Sequence, residues 1–217
     1  MKRIVSPSVL SADFSDLKSE CVMLNESAAE WVHIDVMDGV FVPNISFGFP
    51  VIEAIRKHCT KFMDVHIMIV HPEKYVQRFA DAGARMLTFH YEAAEKPSEV
   101  IRLIREAGMM VGITINPDIP VEKLRPYIAD VDMVLLMSVF AGYGGQKFIP
   151  ESFNRIRELK GMIDELNPNS MIQIDGGVSD ANAAELYACG ANVLVAGSSV
   201  FNAPDPKAMI QRLLTME

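Results

Sequence analysis

The feature that most constrains the fold of this chain is a regular alternation of short apolar runs with longer amphipathic stretches. Runs rich in β-branched, aliphatic or aromatic residues predict eight strands, at residues 3–10, 31–38, 61–69, 86–91, 110–116, 132–139, 171–175 and 192–196. Stretches with helical spacing predict eight helices, at residues 13–27, 49–58, 72–82, 97–107, 121–128, 150–166, 180–189 and 206–214. This order is typical of repeated βα units around a parallel sheet.

The length of the chain favours one arrangement of these units. Dividing 217 residues by eight gives about 27 residues per unit, close to the roughly 30 that a βαβ crossover requires. We therefore expect α/β architecture in the form of a single (β/α)8 TIM barrel that spans residues 1–217 as one domain. A doubly wound sheet is the alternative.

Composition limits the partners and the compartment of the chain. Twenty Lys and Arg residues against 28 Asp and Glu residues give a net charge of −8, so there is no overall basic field to hold nucleic acid. The three cysteines are too few and too scattered for a disulfide framework. No apolar stretch approaches the roughly 18 residues of a membrane span. We expect a cytoplasmic protein that binds neither nucleic acid nor membrane.

Alternation along the strands predicts which side chains enter the barrel. His33 and Asp35 share one face of the second strand, Asp64 and His66 share one face of the third, and the seventh ends at Asp175. The opposite faces are aliphatic and are expected to meet the helices. The polar faces therefore point inward, towards the C-terminal strand ends where barrel enzymes carry their chemistry.

Four inward side chains are candidates for one divalent metal site per subunit: His33, Asp35, His66 and Asp175. Burying them without partners is unfavourable, whereas a cation lets all four coordinate. Mixed nitrogen and oxygen ligands suit Zn, Fe(II), Mn or Co. His90, on the same face of the fourth strand as Glu92, is better interpreted as a supporting or core polar group.

Three methionines near the C-terminal strand ends are candidates for an apolar floor of the active site: Met37, Met68 and Met137. Such side chains exclude water without donating protons. Gap filling in the barrel core is the alternative interpretation.

Glycine clusters follow the last three predicted strands: Gly142, Gly144 and Gly145 around Tyr143, then Gly176 and Gly177, then Gly197 before Ser198 and Ser199. Glycine lets backbone N–H groups approach an anion, and the loops after the last barrel strands commonly bind phosphate. Simple tight turns are the alternative. No Walker or Rossmann pattern is present, so we expect no nucleotide cofactor.

A cation and two carboxylates beside a phosphate anchor favour proton abstraction next to the carbonyl of a sugar phosphate. Inversion at carbon requires an acid/base group on each face of the substrate. Asp35 and Asp175 are the candidates for this pair.

Five motifs together resemble the ribulose-phosphate 3-epimerase family: PSVLSADF from Pro7, HIDVMDG from His33, DVHIM from Asp64, GYGGQ from Gly142 and DGG from Asp175. The resemblance implies a barrel of the ribulose-phosphate-binding type and a homo-oligomer. It implies an isomerase of the pentose phosphate pathway that interconverts D-ribulose 5-phosphate and D-xylulose 5-phosphate at C3 through an enediolate. The same four metal ligands and the same Asp pair would serve it.

The resemblance also implies the residues that contact substrate: Ser8, His66, Gly142, Tyr143, Gly144, Gly145, Asp175, Gly176, Gly177, Gly197 and Ser198. One segment departs from the family, which commonly has SVNPGFGGQ where this chain has SVFAGYGGQ at residues 138–146. Phe140 and Ala141 thus replace an asparagine and a proline, which changes loop stiffness or the space for the sugar. D-allulose 6-phosphate, a six-carbon ketose phosphate, is therefore the alternative substrate.

Two functions of other classes stay open as remote alternatives. Phosphate-binding lyases and decarboxylases of similar fold use an Asp-x-Lys motif, but here Met37 stands where that lysine would be. A non-catalytic sugar-phosphate binder would not need two carboxylates at one metal site.

Overall fold

The computed structural model describes residues 2–216, and within them eight parallel strands form one sheet that closes into a barrel. The strands are β1 Ile4–Pro7, β2 Trp31–Met37, β3 Phe62–Met68, β4 Met86–His90, β5 Met110–Ile115, β6 Met133–Met137, β7 Met171–Asp175 and β8 Val193–Ala196. The sheet order is β1-β8-β7-β6-β5-β4-β3-β2, and a bridge between Ser8 and His33 links the two end strands. This closure confirms the barrel and excludes the doubly wound sheet. The domain limits predicted at residues 1 and 217 lie outside the described residues.

Helices follow the strands and cover the outside of the sheet. They are α1 Leu17–Glu26, α2 Phe49–His58, α3 Val76–Ala82, α4 Pro97–Glu106, α5 Ser152–Leu166, α6 Ala183–Cys189, α7 Ser198–Phe201 and α8 Pro206–Thr215. In α4, Val100, Ile101 and Ile104 are buried while Arg102 and Glu106 pair on the exposed side. This is the spacing of a helix that packs one face on a sheet. Among residues 2–216, every helix is too short or too polar to cross a membrane.

Several predicted boundaries are wrong, and each has a local cause. The first strand stops at Pro7 because the chain turns into a 3₁₀ helix at Val9–Ser11, capped by the Ser8 side chain. The predicted helix 121–128 is a 3₁₀ helix, Val121–Asp130, with Pro126 inside it. A proline lacks the N–H that an α-helix needs at that position. The sequence also did not predict α7, which starts directly after Gly197.

Two further predicted helices have short 3₁₀ entries, Phe14–Asp16 before α1 and Pro72–Lys74 before α3, and the one predicted at 180–189 starts only at Ala183.

The interior of the barrel changes character along its axis. Its N-terminal end is an apolar layer with one side chain from each strand: Ile4, Trp31, Phe62, Met86, Met110, Met133, Met171 and Val193. At the next inward position, five of the strands carry a fully buried polar residue: Ser6, His33, Asp64, Thr88 and Gln173. Gly112 faces Thr88, whose hydroxyl would lie 2.0 Å from a Cβ built at residue 112. The aliphatic residues between these positions pack outward against the helices, as the alternation predicts.

Candidate active site

The four predicted metal ligands meet at the C-terminal end of the barrel. Each of His33, Asp35, His66 and Asp175 offers one donor atom, and these atoms all lie within 4.8 Å of one another. His66 Nδ1 is 2.9 Å from Asp35 Oδ1 and 3.7 Å from Asp175 Oδ2. His33 Nε2 is 3.3 Å and 3.9 Å from the same two oxygens. Strands β2, β3 and β7 thus bring together side chains that lie far apart in the sequence.

These residues fit a divalent cation. His33 Nε2 is buried and makes no hydrogen bond with any described residue, so the neutral imidazole could offer this nitrogen to a cation in the cluster. Two imidazole nitrogens and two carboxylate oxygens form a donor set that first-row metals accept. The carboxylates also supply the negative charge that offsets a divalent cation.

Asp64 supports His33, a role that the sequence did not assign. Asp64 Oδ2 is 2.7 Å from His33 Nδ1 and accepts hydrogen bonds from Ser6 Oγ at 3.2 Å and Gln173 Nε2 at 2.5 Å. When His33 is neutral, this contact keeps its proton on Nδ1 and leaves Nε2 free to bind a metal. The signal lay in the strand register, because β2 and β3 pair His33 directly with Asp64. A single strand pattern does not contain that register.

The two carboxylates of the cluster have pKa values that are shifted in opposite directions. Burial opposes ionisation of Asp35, but the neighbouring His33 and His66 hold its pKa below the ordinary range. Burial, together with the charge of Asp35, raises the pKa of Asp175 to about 7. Without a bound cation the pair would therefore combine an ionised carboxylate with one that holds a proton near neutrality. Ser8 Oγ also donates a hydrogen bond of 2.6 Å to Asp35 Oδ2.

Burial and neighbouring carboxylates have opposing effects on the pKa values of the buried imidazoles. Burial disfavours protonation of His33, but Asp35 and Asp64 raise its pKa well above the ordinary value. Burial lowers the pKa of His90 to about 4. His90 lies behind His66, with its Nε2 2.9 Å from His66 Nε2.

A cavity of about 350 Å³ opens above this cluster. It is lined by most of the predicted site residues: Ser8, Asp35, Met37, Met68, Met137, Gly142, Tyr143, Gly144, Gly145, Asp175, Gly176, Gly177, Gly197 and Ser198. His33 and His66 are fully buried beneath it. The three methionines are also almost fully buried, and each forms part of the cavity wall.

Glycine is required at the turn after β7. Gly176 and Gly177 have φ values of 119° and 63°, in the left-handed region. A Cβ on Gly177 would lie 2.4 Å from the backbone nitrogen of Phe148, and one on Gly176 would lie 2.5 Å from Val139 Cγ2. The backbone thus passes close to two neighbouring segments at the edge of the cavity, where a side chain would force it away.

The loop that departs from the family pattern is held by hydrogen bonds. Ala141 N donates to Asn116 Oδ1 at 2.9 Å, and Asn44 Nδ2 donates to Gly142 O at 3.0 Å. Gln146 Nε2 donates to Phe140 O at 2.7 Å. A proline at residue 141 would lack the N–H that bonds Asn116, so a hydrogen bond stands where the family pattern has a rigid ring.

Fold and site together define a class of protein: a (β/α)8 barrel with glycine-rich loops and a candidate metal centre at the C-terminal ends of its strands. The model of the ribulose-phosphate 3-epimerase family matches residues 4–201. A ribulose-phosphate 3-epimerase from Synechocystis sp. is 46% identical over 204 residues, which cover 93% of this chain and 89% of the relative. One from Schizosaccharomyces pombe is 42% identical over 212 residues, which cover 96% and 91%. The chain belongs to the ribulose-phosphate 3-epimerase family and is an enzyme of the isomerase class.

Solved structures show the same fold at lower identity. The crystal structure of 3-hexulose-6-phosphate synthase from Salmonella typhimurium matches with a TM-score of 0.68 at 19% identity, over 100% of this chain and 98% of the other. This likeness concerns the barrel fold alone.

Proposed function

We propose that this enzyme interconverts D-ribulose 5-phosphate and D-xylulose 5-phosphate by moving a proton at C3. The observation that carries the proposal is the meeting of Asp35 and Asp175, from β2 and β7, at the base of a glycine-lined cavity. Strands β1 and β8 separate these two strands around the barrel. The carboxylates thus approach a bound molecule from different directions, which inversion at carbon requires.

The two carboxylates exchange roles with the direction of the reaction. One accepts the C3 proton as general base, and the other donates a proton to the opposite face of the resulting enediolate as general acid. Ser8 orients Asp35 through its 2.6 Å hydrogen bond. A divalent cation held by His33, Asp35, His66 and Asp175 would stabilise negative charge that develops on the substrate oxygens.

The remaining predicted residues hold and shield the substrate in this proposal. The loops at residues 142–145, 176–177 and 197–198 present backbone N–H groups to the phosphate. Met37, Met68 and Met137 form an apolar floor that keeps water from the reacting carbon. The same proposal includes one domain, a cytoplasmic location and a homo-oligomer, whose subunit number light scattering on the purified protein would measure.

A six-carbon substrate, D-allulose 6-phosphate, is the second candidate. The exposed Phe140 and the hydrogen-bonded Ala141 at the cavity edge favour its consideration, since both depart from the family pattern. Comparison of kcat/KM on the two ketose phosphates decides between them. We expect the pentulose to be preferred, and a preference for the hexulose would overturn the substrate assignment while leaving the proton-transfer scheme in place.

Chelation and solvent exchange test the chemistry. We expect a chelator to abolish epimerisation, and Zn, Fe(II), Mn or Co to restore it. In D₂O, the C3 position of the product should carry deuterium, because the donating carboxyl exchanges its proton with solvent. A fully active metal-free enzyme would contradict the metal site, and retention of the original hydrogen at C3 would contradict the two-carboxylate scheme.

A further inference from the structure

The second imidazole of the candidate metal site has its own supporting groups. His66 Nδ1 is hydrogen-bonded to Asp35 Oδ1 at 2.9 Å and lies 3.7 Å from Asp175 Oδ2, and its other nitrogen, Nε2, lies 2.9 Å from His90 Nε2. Both rings are fully buried, with their centroids 5.0 Å apart and their planes inclined by 29°. A contact of this length between two ring nitrogens is a hydrogen bond with one proton, which belongs to one ring or the other.

Glu92 faces the far side of His90. His90 Nδ1 and Glu92 Oε2 are 3.6 Å apart, and neither atom has a hydrogen-bond partner among residues 2–216. A small side-chain shift would join the two and give each of these buried atoms a hydrogen-bond partner. The other carboxylate oxygen, Glu92 Oε1, accepts a 2.8 Å hydrogen bond from the Asn116 backbone N–H, so the carboxylate is held in place.

The positions of the protons follow from these contacts if His66 is to bind a metal. A ligating Nδ1 carries no proton, so the proton of the neutral ring is on Nε2 and is donated to His90 Nε2. His90 Nε2 then accepts, and the proton of His90 is on Nδ1, directed at Glu92. Because an ionised carboxylate only accepts hydrogen bonds, Glu92 is suited to be the last acceptor in this series.

We propose that Glu92 acts through His90 as a positioning pair, which favours a proton on His66 Nε2 and so makes Nδ1 available to a divalent cation in place of its hydrogen bond with Asp35. This inference rests on the proposed metal site and extends it to two residues that do not touch the substrate. It parallels the role of Asp64 towards His33, with an additional imidazole between carboxylate and ligand. Partners of this kind typically contribute about 10- to 100-fold to metal affinity.

The substitution Glu92→Gln reverses the direction of hydrogen-bond donation between residue 92, His90 and His66. The Gln carbonyl oxygen can still accept from Asn116 N–H, which directs the amide NH₂ towards His90 Nδ1. His90 must then carry its proton on Nε2 and donate to His66, whose own proton moves to Nδ1. We expect Zn²⁺ affinity, measured by competition with a chelating dye, to fall about 10- to 100-fold.

Glu95→Gln is the matched control, since Glu95 is exposed and lies three residues along the same loop. Its Zn²⁺ affinity should stay within about twofold of wild type, as for other surface substitutions. In a His90→Gln background no second imidazole transmits the effect, so adding Glu92→Gln should change the affinity by less than about twofold.

Nitrogen-15 NMR of the Zn²⁺-loaded wild type reads the proton positions directly and does not depend on any variant folding. We expect His90 to be protonated at Nδ1 and not at Nε2. The opposite assignment, or a Glu92→Gln protein that binds Zn²⁺ as tightly as wild type, would overturn the proposal. A wild type that binds no Zn²⁺, Fe(II), Mn²⁺ or Co²⁺ would instead overturn the metal site of the proposed function, and these results are distinct.

Discussion

The two ends of the barrel interior are built from the same eight strands but differ in the side chains that those strands direct inward. At the N-terminal end every strand contributes an apolar side chain, including Trp31 and Met133. At the C-terminal end β2, β3 and β7 contribute Asp35, His66 and Asp175. Apolar side chains need only close packing, whereas each buried polar group needs a specific partner. One end can therefore serve stability while the other serves chemistry.

Between the two ends lies a polar layer centred on Asp64. Asp64 contacts Ser6, His33 and Gln173, which lie on three different strands. Hydrogen bonds in such a buried network strengthen one another. This network connects the packed end of the barrel to the reactive end and fixes the orientation of His33.

The largest expected effect comes from the reactive end. Asp35→Asn and Asp175→Asn keep the side-chain shape but remove a general acid/base, so each should lower kcat at least about 100-fold. Steady-state epimerisation assays measure this, and thermal unfolding shows whether the fold is intact. Asp164→Asn, on the exposed side of α5, is the control and should retain full activity. Near-normal kcat in either site variant contradicts the two-carboxylate scheme.

A change at the glycine turn should also act on function. Gly177→Ala places a methyl group 2.4 Å from Phe148 N at a φ of 63°, so the backbone beside the cavity must move. We expect kcat/KM for the sugar phosphate to fall by up to about 100-fold, the scale of small displacements in an active site. An unchanged kcat/KM would show that this turn does not hold the substrate.

The packed end should respond in the opposite way. Met133→Ala removes a fully buried side chain and is expected to lower the free energy of unfolding by about 2–5 kcal/mol. Because Met133 lies in the layer farthest from the cluster, kcat should remain within about twofold in the folded variant. Chemical denaturation and activity assays measure the two effects. Met209→Ala, at a half-buried position in α8, should cost less stability. A large loss of kcat would contradict the assignment of stability to one end of the barrel and chemistry to the other.

The smallest expected effect is at a glycine that serves neither end. Gly161 is exposed inside α5, and a Cβ there would meet nothing within 4 Å. Gly161→Ala should raise the free energy of unfolding by about 0.5–1 kcal/mol, because alanine favours the helix. Denaturant titration measures the change, and unchanged activity makes this variant the control for Gly177→Ala. A loss of stability would show that α5 needs a glycine there.

Much of the fold and of the candidate site is predictable from local pattern. Alternation placed His33, Asp35 and His66 inside the barrel because side chains in a strand point to opposite faces in turn. The glycine clusters predicted the edge of the cavity. Boundaries were less predictable where a cap or an internal proline competes with regular structure, as at Ser8 and Pro126.

By itself the sequence determined the number of βα units, the inward and outward faces of the second, third and seventh strands, and the four candidate ligands. These follow from the spacing of apolar and polar residues within single strands and helices, which can be read from short stretches of sequence. The partnership of Asp64 with His33, the chain from Glu92 through His90 to His66, and the hydrogen bond from Ala141 to Asn116 came only from the folded chain. Each depends on the register between strands or on loops from different units, and such distances exist only once the barrel has closed.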